Sequence, residues 1–446
     1  MSIFKACDIR GRYGVGLDPA IALAVGRAVG SLLTGKAVVV GGDLRPSTDP
    51  LRGALTEGLV AAGCRVIDVG VLPTPAFYFA KDHLNADGGI MVTGSHNPPG
   101  DNGFKVSLGK QAITETDIRE IRRRVERADF VTGDGSLTRA DVGGAYEDFL
   151  KRRFPRRARG PRIVVDPGNG CYAHIAPRVL RDRGYDVVEL NCEPDGRFPN
   201  RSPDPAVAEN LKVLAEVVLH EKADLGVAYD GDGDRVVFVD QRGRIVESDI
   251  AVVLYARPAL KVRPGVVVYD IKCSGVVADQ VREAGGTPVM EKSGHAFIRG
   301  TLLKTNAVLG GEISGHFFFG ELGRDDGLYA TLLMLDIVHA EGRSLAALSD
   351  SVPRYFITPD LRLPCSPEQA NAALAALEAT FRDKPACEVT TLDGVRVAFA
   401  DGWALARPSV TEPLLTMRFE ARSAARLEEI QRSVRELVPS LREIMQ

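Results

Sequence analysis

The apolar positions of the chain fall into a pattern that occurs three times. Three β-branched runs, Val38-Val39-Val40, Ile163-Val164-Val165 and Val266-Val267-Val268, each open a segment in which a turn, a helical stretch and further strands follow. Short continuous apolar runs of this kind predict strands covered on both faces. Each run ends in a polar loop carrying an aspartate, at Gly42-Asp43, Asp166-Pro167-Gly168 and Asp270. A second strand follows a glycine each time, after Gly63, Gly184 and Gly285-Gly286. A third strand then runs into a loop rich in reactive side chains: Thr93 to Pro99, Asp230 to Arg235, and Gly311 to His316. Strands alternating with helices predict α/β units, whose ligands gather at the carboxyl ends of strands, so the three loops are expected to share one cleft.

Smaller signals fill in the pattern. Asp18-Pro19 before the apolar stretch from Ala20 to Leu33 predicts an amphipathic helix with an N-cap and a proline in its first turn. Hairpin-like pairs are expected after the first two loops, Phe104-Lys105-Val106 with Ala112-Ile113, and Val236 to Val239 with Ile245-Val246 across a turn at Arg242-Gly243. Beyond Pro359 the pattern changes to a helix from Pro367 to Arg382, strands around Val395 to Phe399 and Thr416 to Phe419, and a closing helix from Ser423. The expected fold is therefore α/β: three related α/β units with mixed sheets plus a C-terminal α+β domain. The expected divisions are 1–150, 151–249, 250–357 and 358–446.

Bulk properties narrow the class. A chain of 446 residues is too long for one core, and 45% apolar with 26% charged residues is the balance of a globular protein. A net charge of -3 argues against nucleic acid as partner, and the basic clusters 119–127 and 151–159 read as a solvated helix face and an interdomain link. Seven scattered cysteines without a Cys-x-x-Cys pair read as free thiols in a reducing compartment. No apolar run approaches 18 residues and the N-terminus has no leader pattern, so no membrane partner and a cytoplasmic location are expected.

Four loops carry the candidate chemistry. Thr93-Gly94-Ser95-His96-Asn97-Pro98-Pro99 presents a serine hydroxyl on a loop stiffened by proline and opened by glycine, although an ordinary strand-to-turn connection has the same composition. Asp230-Gly231-Asp232-Gly233-Asp234-Arg235 places three carboxylates around one point, where their repulsion calls for a hard cation; Mg²⁺ suits an all-oxygen site that awaits phosphate. An EF-hand is excluded, since Arg235 and Gln241 stand where its glycine and glutamate must be; the bland alternative is a solvated acidic turn. Gly310 to His316 offers Glu312, Ser314 and His316 for paired hydrogen bonds to sugar hydroxyls, with His316 as a merely structural histidine the competing reading. Arg407, Ser409 and Thr411 combine a guanidinium with two hydroxyls, either a phosphate clamp or a polar turn before a strand. Lys272, Lys292 and His295 would add positive charge.

With these loops in this order the chain resembles the α-D-phosphohexomutases, most of all the phosphomannomutase/phosphoglucomutase group, from Phe4-Lys5-Ala6-Cys7-Asp8-Ile9-Arg10-Gly11 to the loop ending at Pro413. The resemblance implies four domains around a central cleft. It makes Ser95 a phosphoserine; Asp230, Asp232 and Asp234, with Ser95, the Mg²⁺ ligands; and Arg10, His96, Lys105 and Arg235 the surroundings of the transferring group, Lys105 as general acid/base. Glu312 and Ser314 would read the sugar hydroxyls, Lys272, His295 and His316 would line the substrate side, and Arg407, Ser409 and Thr411 would grip phosphate. The implied reaction moves phosphate between O1 and O6 of a hexose phosphate through a hexose 1,6-bisphosphate, in a monomer or homodimer.

Two positions depart from the family pattern: Cys7 stands where tyrosine is usual, and Val410 where a polar residue or glycine is usual. Ile313 and the Thr93-Gly94-Ser95 form of the serine loop resemble the mannose/glucose enzymes, whereas Thr411-Glu412-Pro413 also occurs in phosphoglucosamine mutases. Phosphoglucosamine mutase is thus the alternative within the family. A metal-dependent sugar phosphatase and a non-catalytic sugar-phosphate binder are the alternatives outside it.

Overall fold

The computed structural model describes residues 3–408 and 413–444 and contains four sheets. In the first, the strands Asp101–Ser107, Gly88–Val92, Ala37–Gly42 and Arg65–Val71 lie side by side in that order. The second places Val236–Asp240, Leu225–Tyr229, Arg162–Asp166 and Asp186–Glu189 in the same relation. The third does so with Phe317–Phe319, Leu309–Gly311, Val266–Asp270 and Thr287–Glu291. In every copy the first, second and third strands are parallel, and an antiparallel return strand pairs with the third. The repeat read from the apolar runs is therefore a repeat of topology, and the chemistry-bearing loop is the turn from third strand to return strand each time.

One expected pairing is replaced. Ala112 and Ile113 form no strand; the free edge of Asp101–Ser107 pairs instead with Ile9–Tyr13, nearly a hundred residues earlier. This swap is useful, because it brings Arg10, opposite Gly103 in register, beside the serine loop. The helix predicted from Asp18 is present as Pro19–Leu32, with the Asp18 carboxylate accepting from Ile21 N.

The first three units are fused by a continuous core that includes Tyr146, Tyr172, Tyr229, Tyr255, Phe317 and Tyr329. The tail has its own core. Its strands Val395–Phe399, Gly402–Pro408 and Leu414–Ala421 turn Val397, Ala404, Ala406, Met417 and Phe419 toward helices Pro367–Arg382 and Ala424–Leu437. The opposite face of that sheet carries Arg396, Trp403, Leu405 and Glu420 toward the third unit. All seven cysteines are free. Helix Glu115–Arg127 is laced by the ion pairs Arg122–Glu126, Arg123–Glu120 and Arg124–Glu120, the solvated face expected of that basic cluster. Among the described residues no helix is long and apolar enough to cross a membrane.

Candidate active site

The three aspartates that end the first strands share one task. Asp43 accepts from Arg45 N, Thr48 Oγ1 and Gly94 N; Asp166 from Gly168 N, Asn191 Nδ2 and Arg201 Nε; Asp270 from Lys272 N and Ser293 Oγ. All three are buried. Each is a loop tether: Asp43 holds the serine loop through Gly94 N, Asp270 holds Ser293 in the cleft wall, and Asp166 holds the flanking segments at Asn191 and Arg201.

The serine loop is built around a second tether, Arg45. Its guanidinium, 2% exposed, donates to the carbonyls of Ser95 (2.8 Å), Asn97 (2.6 Å), Pro98 (2.5 Å) and Asp101 (3.0 Å) and pairs with Asp43 at 3.1 Å. Gly94 is required there, because a Cβ at that position would sit 2.4 Å from the guanidinium carbon of Arg45. Ser95 itself takes a left-handed φ of 49°, uncommon for a non-glycine residue, and its N–H donates to Thr93 Oγ1 at 2.8 Å. The serine side chain is thus aimed by backbone constraint.

Its target is the aspartate loop. Ser95 Oγ donates to Asp230 Oδ2 at 2.8 Å and lies 3.3 Å from His96 Nδ1. Asp230, Asp232 and Asp234 are fully buried, with ligand oxygens within 4.8 Å of one another. At that spacing, with an effective ε of about 20, each pair of charges repels by about 3 kcal/mol. Burial and its two neighbours push the Asp230 carboxyl well above the usual range. Burial also acts against the Asp232 charge, but Lys105 and the Thr74 hydroxyl hold that carboxyl well below the usual range. Lys105 Nζ reaches Asp232 at 2.7 Å and also contacts Asp234; these carboxylates overcome its own burial and keep it an ammonium. Oδ1 of Asp232 and Oδ1 of Asp234 are buried without any hydrogen-bond partner. Orphaned carboxylate oxygens converging beside a hydroxyl fit a hard divalent cation.

Thr74 fastens this loop to the first unit twice, its N–H on Asp232 O at 2.8 Å and its hydroxyl on Asp232 Oδ2 at 2.6 Å. Glycine at 231 and 233 has a local reason. A Cβ on Gly231 would meet Ser95 O at 2.6 Å, and Gly233, at φ +81°, would meet the Tyr172 ring at 2.5 Å.

Around the pair stand the expected cations. Arg10 NH1 donates to Gly94 O at 2.6 Å. Arg235 Nε donates to His316 Nε2 at 3.0 Å, and His316 Nδ1 donates to Asp325 Oδ2 at 2.6 Å. Burial and Arg235 oppose a cationic His316, but Asp234 and Asp325 outweigh them and push it above the ordinary histidine value; against that direction, the bond that Arg235 Nε donates needs a lone pair on Nε2 and is made only by the neutral ring. His96 is neutral, since burial, Arg235 and Arg10 push it well below the ordinary histidine value.

A cleft of about 610 Å³ extends from Ser95, His96, Lys105, Arg10 and Arg235 to His295, Glu312 and His316. Glu312 Oε1 accepts from Gly294 N (2.7 Å) and Oε2 from Ser314 Oγ (2.8 Å), which fixes the carboxylate at the cleft wall. His295 Nε2 lies 3.0 Å from Asp325 Oδ1. Cys7, the departure from the family pattern, also lines the cleft, as a neutral thiol pushed up to about 12 by burial, Glu115 and Asp8.

Lys272, Ser314 and Arg407 do not line this cleft. Ser314 acts through Glu312. Arg407, on strand Gly402–Pro408, pairs with Asp393 at 2.6 Å, and Asp393 accepts from the N–H of Ser293 in the cleft wall at 3.3 Å. Ser409, Val410 and Thr411 lie outside the described residues. Arg45, Thr74, Thr93 and Asp325 belong to the site and were not singled out by residue chemistry. Thr93, inside the serine motif, was the one visible in the sequence.

Comparison with known proteins gives one answer over the whole chain. Family models described as phosphoglucomutase/phosphomannomutase match in succession: alpha/beta/alpha domain I at 1–132, domain II at 145–243, domain III at 247–355 and the C-terminal domain at 361–437. A phosphomannomutase/phosphoglucomutase of Pseudomonas aeruginosa is 40% identical over 437 residues, covering 96% of this chain and 94% of that protein. A phosphoglucomutase of Neisseria gonorrhoeae is 39% identical over 448 residues, covering 98% and 97%. The crystal structure of a phosphoglucomutase/phosphomannomutase family protein from Burkholderia thailandensis superposes with a TM-score of 0.91 at 41% identity, over 98% of this chain and 96% of that one.

Proposed function

The chain belongs to the α-D-phosphohexomutases, in the phosphoglucomutase/phosphomannomutase family, and is an isomerase of hexose phosphates; on that premise we propose that Ser95 is the phosphate carrier through which phosphate moves between O1 and O6. The observation that supports this most is the 2.8 Å contact of a strained, loop-held serine hydroxyl with an aspartate cluster whose outer oxygens lack partners.

Asp230, Asp232 and Asp234, with an oxygen of phospho-Ser95, are the residues that would hold Mg²⁺. The ion supplies charge neutralisation at the phosphate oxygens. In the proposed cycle a hexose monophosphate binds with its free hydroxyl toward phospho-Ser95. That hydroxyl bonds to phosphorus as the Ser95 Oγ–P bond breaks, giving the 1,6-bisphosphate. Arg10, Arg235 and neutral His96 surround the moving group with N–H donors, and the Lys105 ammonium gives a proton to the departing Ser95 oxygen and is recharged by the proton that the attacking hydroxyl releases. The bisphosphate then turns in the cleft and returns its other phosphate to Ser95. Glu312, with Ser314 behind it, accepts from vicinal sugar hydroxyls in either orientation, and Arg407 with Ser409 and Thr411 grips the phosphate that is not reacting. Lys272, His295 and His316 complete the substrate side. The divisions 1–150, 151–249, 250–357 and 358–446 are the proposed functional parts, bearing the carrier, the metal loop, the sugar readers and the clamp.

We assign mannose and glucose phosphates as substrates in preference to glucosamine phosphate, on the names carried by the relatives that match nearly the full chain. The test is a rate comparison of mannose, glucose and glucosamine 1-phosphates with Mg²⁺ and catalytic 1,6-bisphosphate. A preference for the amino sugar overturns the substrate assignment. Release of free phosphate at the isomerisation rate overturns transfer between O1 and O6 in favour of a phosphatase.

A further inference from the structure

The third unit's strand Val266–Asp270 and helix Gly275–Glu283 face the tail sheet across a second cavity of about 410 Å³. Its floor is Arg396. This side chain is 8% exposed, makes no ion pair among the described residues, and leaves its buried Nε without a hydrogen-bond partner. A guanidinium so placed is costly unless something accepts from it.

Its guanidinium stacks over the Trp403 ring at 4.7 Å. The neighbouring carboxylates are engaged or unsuited. Asp279 accepts from Arg422 and from Tyr355, each at 2.7 Å, and from Arg282 at 3.4 Å. Asp401 pairs with Arg426 at 2.9 Å, and Glu388 stands exposed at the rim. Glu420 spends Oε1 on Gly275 N and Trp403 Nε1, both 2.8 Å, while buried Oε2 has no partner. Burial pushes this carboxyl up, against the bonds from Gly275 and Trp403.

We propose that this cavity is a binding site for a small oxyanion, of phosphate or carboxylate type, held by the unpaired Arg396 guanidinium with Arg282 and the outer oxygen of Glu420 beside it. The guanidinium fork matches two oxygens of such an anion, and Trp403 behind it orients the fork. A bound anion ties the third unit to the tail sheet.

The chain contains a single tryptophan, Trp403, so intrinsic emission excited at the indole band reports this cavity. The full-length enzyme with Mg²⁺ is titrated with inorganic phosphate and, separately, acetate, at constant ionic strength. A saturable change in Trp403 emission is expected with either probe. Arg396→Gln should raise the half-saturating concentration roughly tenfold or more, the loss typical of one charge-assisted contact, while Arg396→Lys should retain part of the response. Mutase turnover at saturating substrate should stay within about twofold in both variants, as expected for a site apart from the chemistry. A flat titration, or one unchanged in Arg396→Gln, overturns the site. An Arg396→Gln variant that loses turnover together with the emission response overturns it too, assigning Arg396 to packing between the two parts.

Discussion

Arg45 holds Ser95 by its main chain: the guanidinium donates to the Ser95 carbonyl at 2.8 Å, with three further carbonyls of the same loop and the Asp43 carboxylate on its remaining N–H groups. Five donors in a planar fork match this task, and an ammonium with three does not. Arg45→Lys should therefore lower kcat about a hundredfold through a displaced nucleophile, with substrate affinity changed less. Arg45→Met should in addition lose about 3 to 5 kcal/mol of stability, because Asp43 is left as a buried unpaired charge. Steady-state kinetics and thermal melts of both variants check the split.

Ser95→Ala should abolish turnover and spare binding of hexose phosphate. Calorimetric titration with glucose 1-phosphate is expected to give a dissociation constant within about threefold of the parent, since only one hydroxyl is removed from a site with several charged contacts. An alanine variant that isomerises at the parental rate would exclude the carrier role.

Chelation of divalent metal should remove activity reversibly, and Mg²⁺ at a hundred times its dissociation constant should stabilise the fold by about 2.7 kcal/mol. Asp230→Asn separates metal binding from loop structure. Asp230 Oδ1 accepts from Gly233 N and Arg235 N, and an amide oxygen can keep both bonds. The variant should melt at or above the parent in chelator, through relief of carboxylate repulsion, yet gain little from added Mg²⁺.

Asp326 provides a pH signature away from the metal. It caps helix Gly327–Glu341 through Tyr329 N at 2.9 Å, is met by the hydroxyls of Tyr146 and Tyr172, and is pushed up to about 6 by burial, against those bonds. In the folded chain it keeps its proton between about pH 4 and 6 while the unfolded chain has lost it, so its contribution to stability falls as pH rises through that window and is level above it. Asp326→Asn does not titrate. Measured relative to the parent, the variant's stability should improve by up to about 3 kcal/mol between pH 4 and pH 7; a pH-independent difference would show that the carboxyl titrates alike in both states.

The topology and the candidate loops were legible because each rests on local signals: β-branched runs, glycine-opened second strands, and loops in which Ser95 or the aspartates stand out by type. Even the glycines between the aspartates were readable as freedom of the backbone, although what they make room for, Ser95 O and the Tyr172 ring, was not. The supports were hidden. Arg45 looks like one more arginine after a strand, and Thr74 like the start of a helix, until the fold brings them to residues 50 and 158 positions away. The same holds for Ile9–Tyr13, whose pairing with Asp101–Ser107 no short-range pattern announces, so that Ala112-Ile113 seemed the nearer partner.

The double attachment of Thr74 to Asp232 has a consequence for how the catalyst divides its labour. Together with the Ser95–Asp230 bond it welds the serine loop to the aspartate loop across two sheets, whereas the tail is joined to the third unit through Arg407–Asp393–Ser293, Gly275–Glu420, Arg422–Asp279 and Arg418–Lys272. On the proposed cycle, a sugar that presents first one end and then the other meets an unchanging point of attack at the serine and aspartate loops, and the accommodation its two poses demand falls to the tail, which shares no comparable weld with those loops.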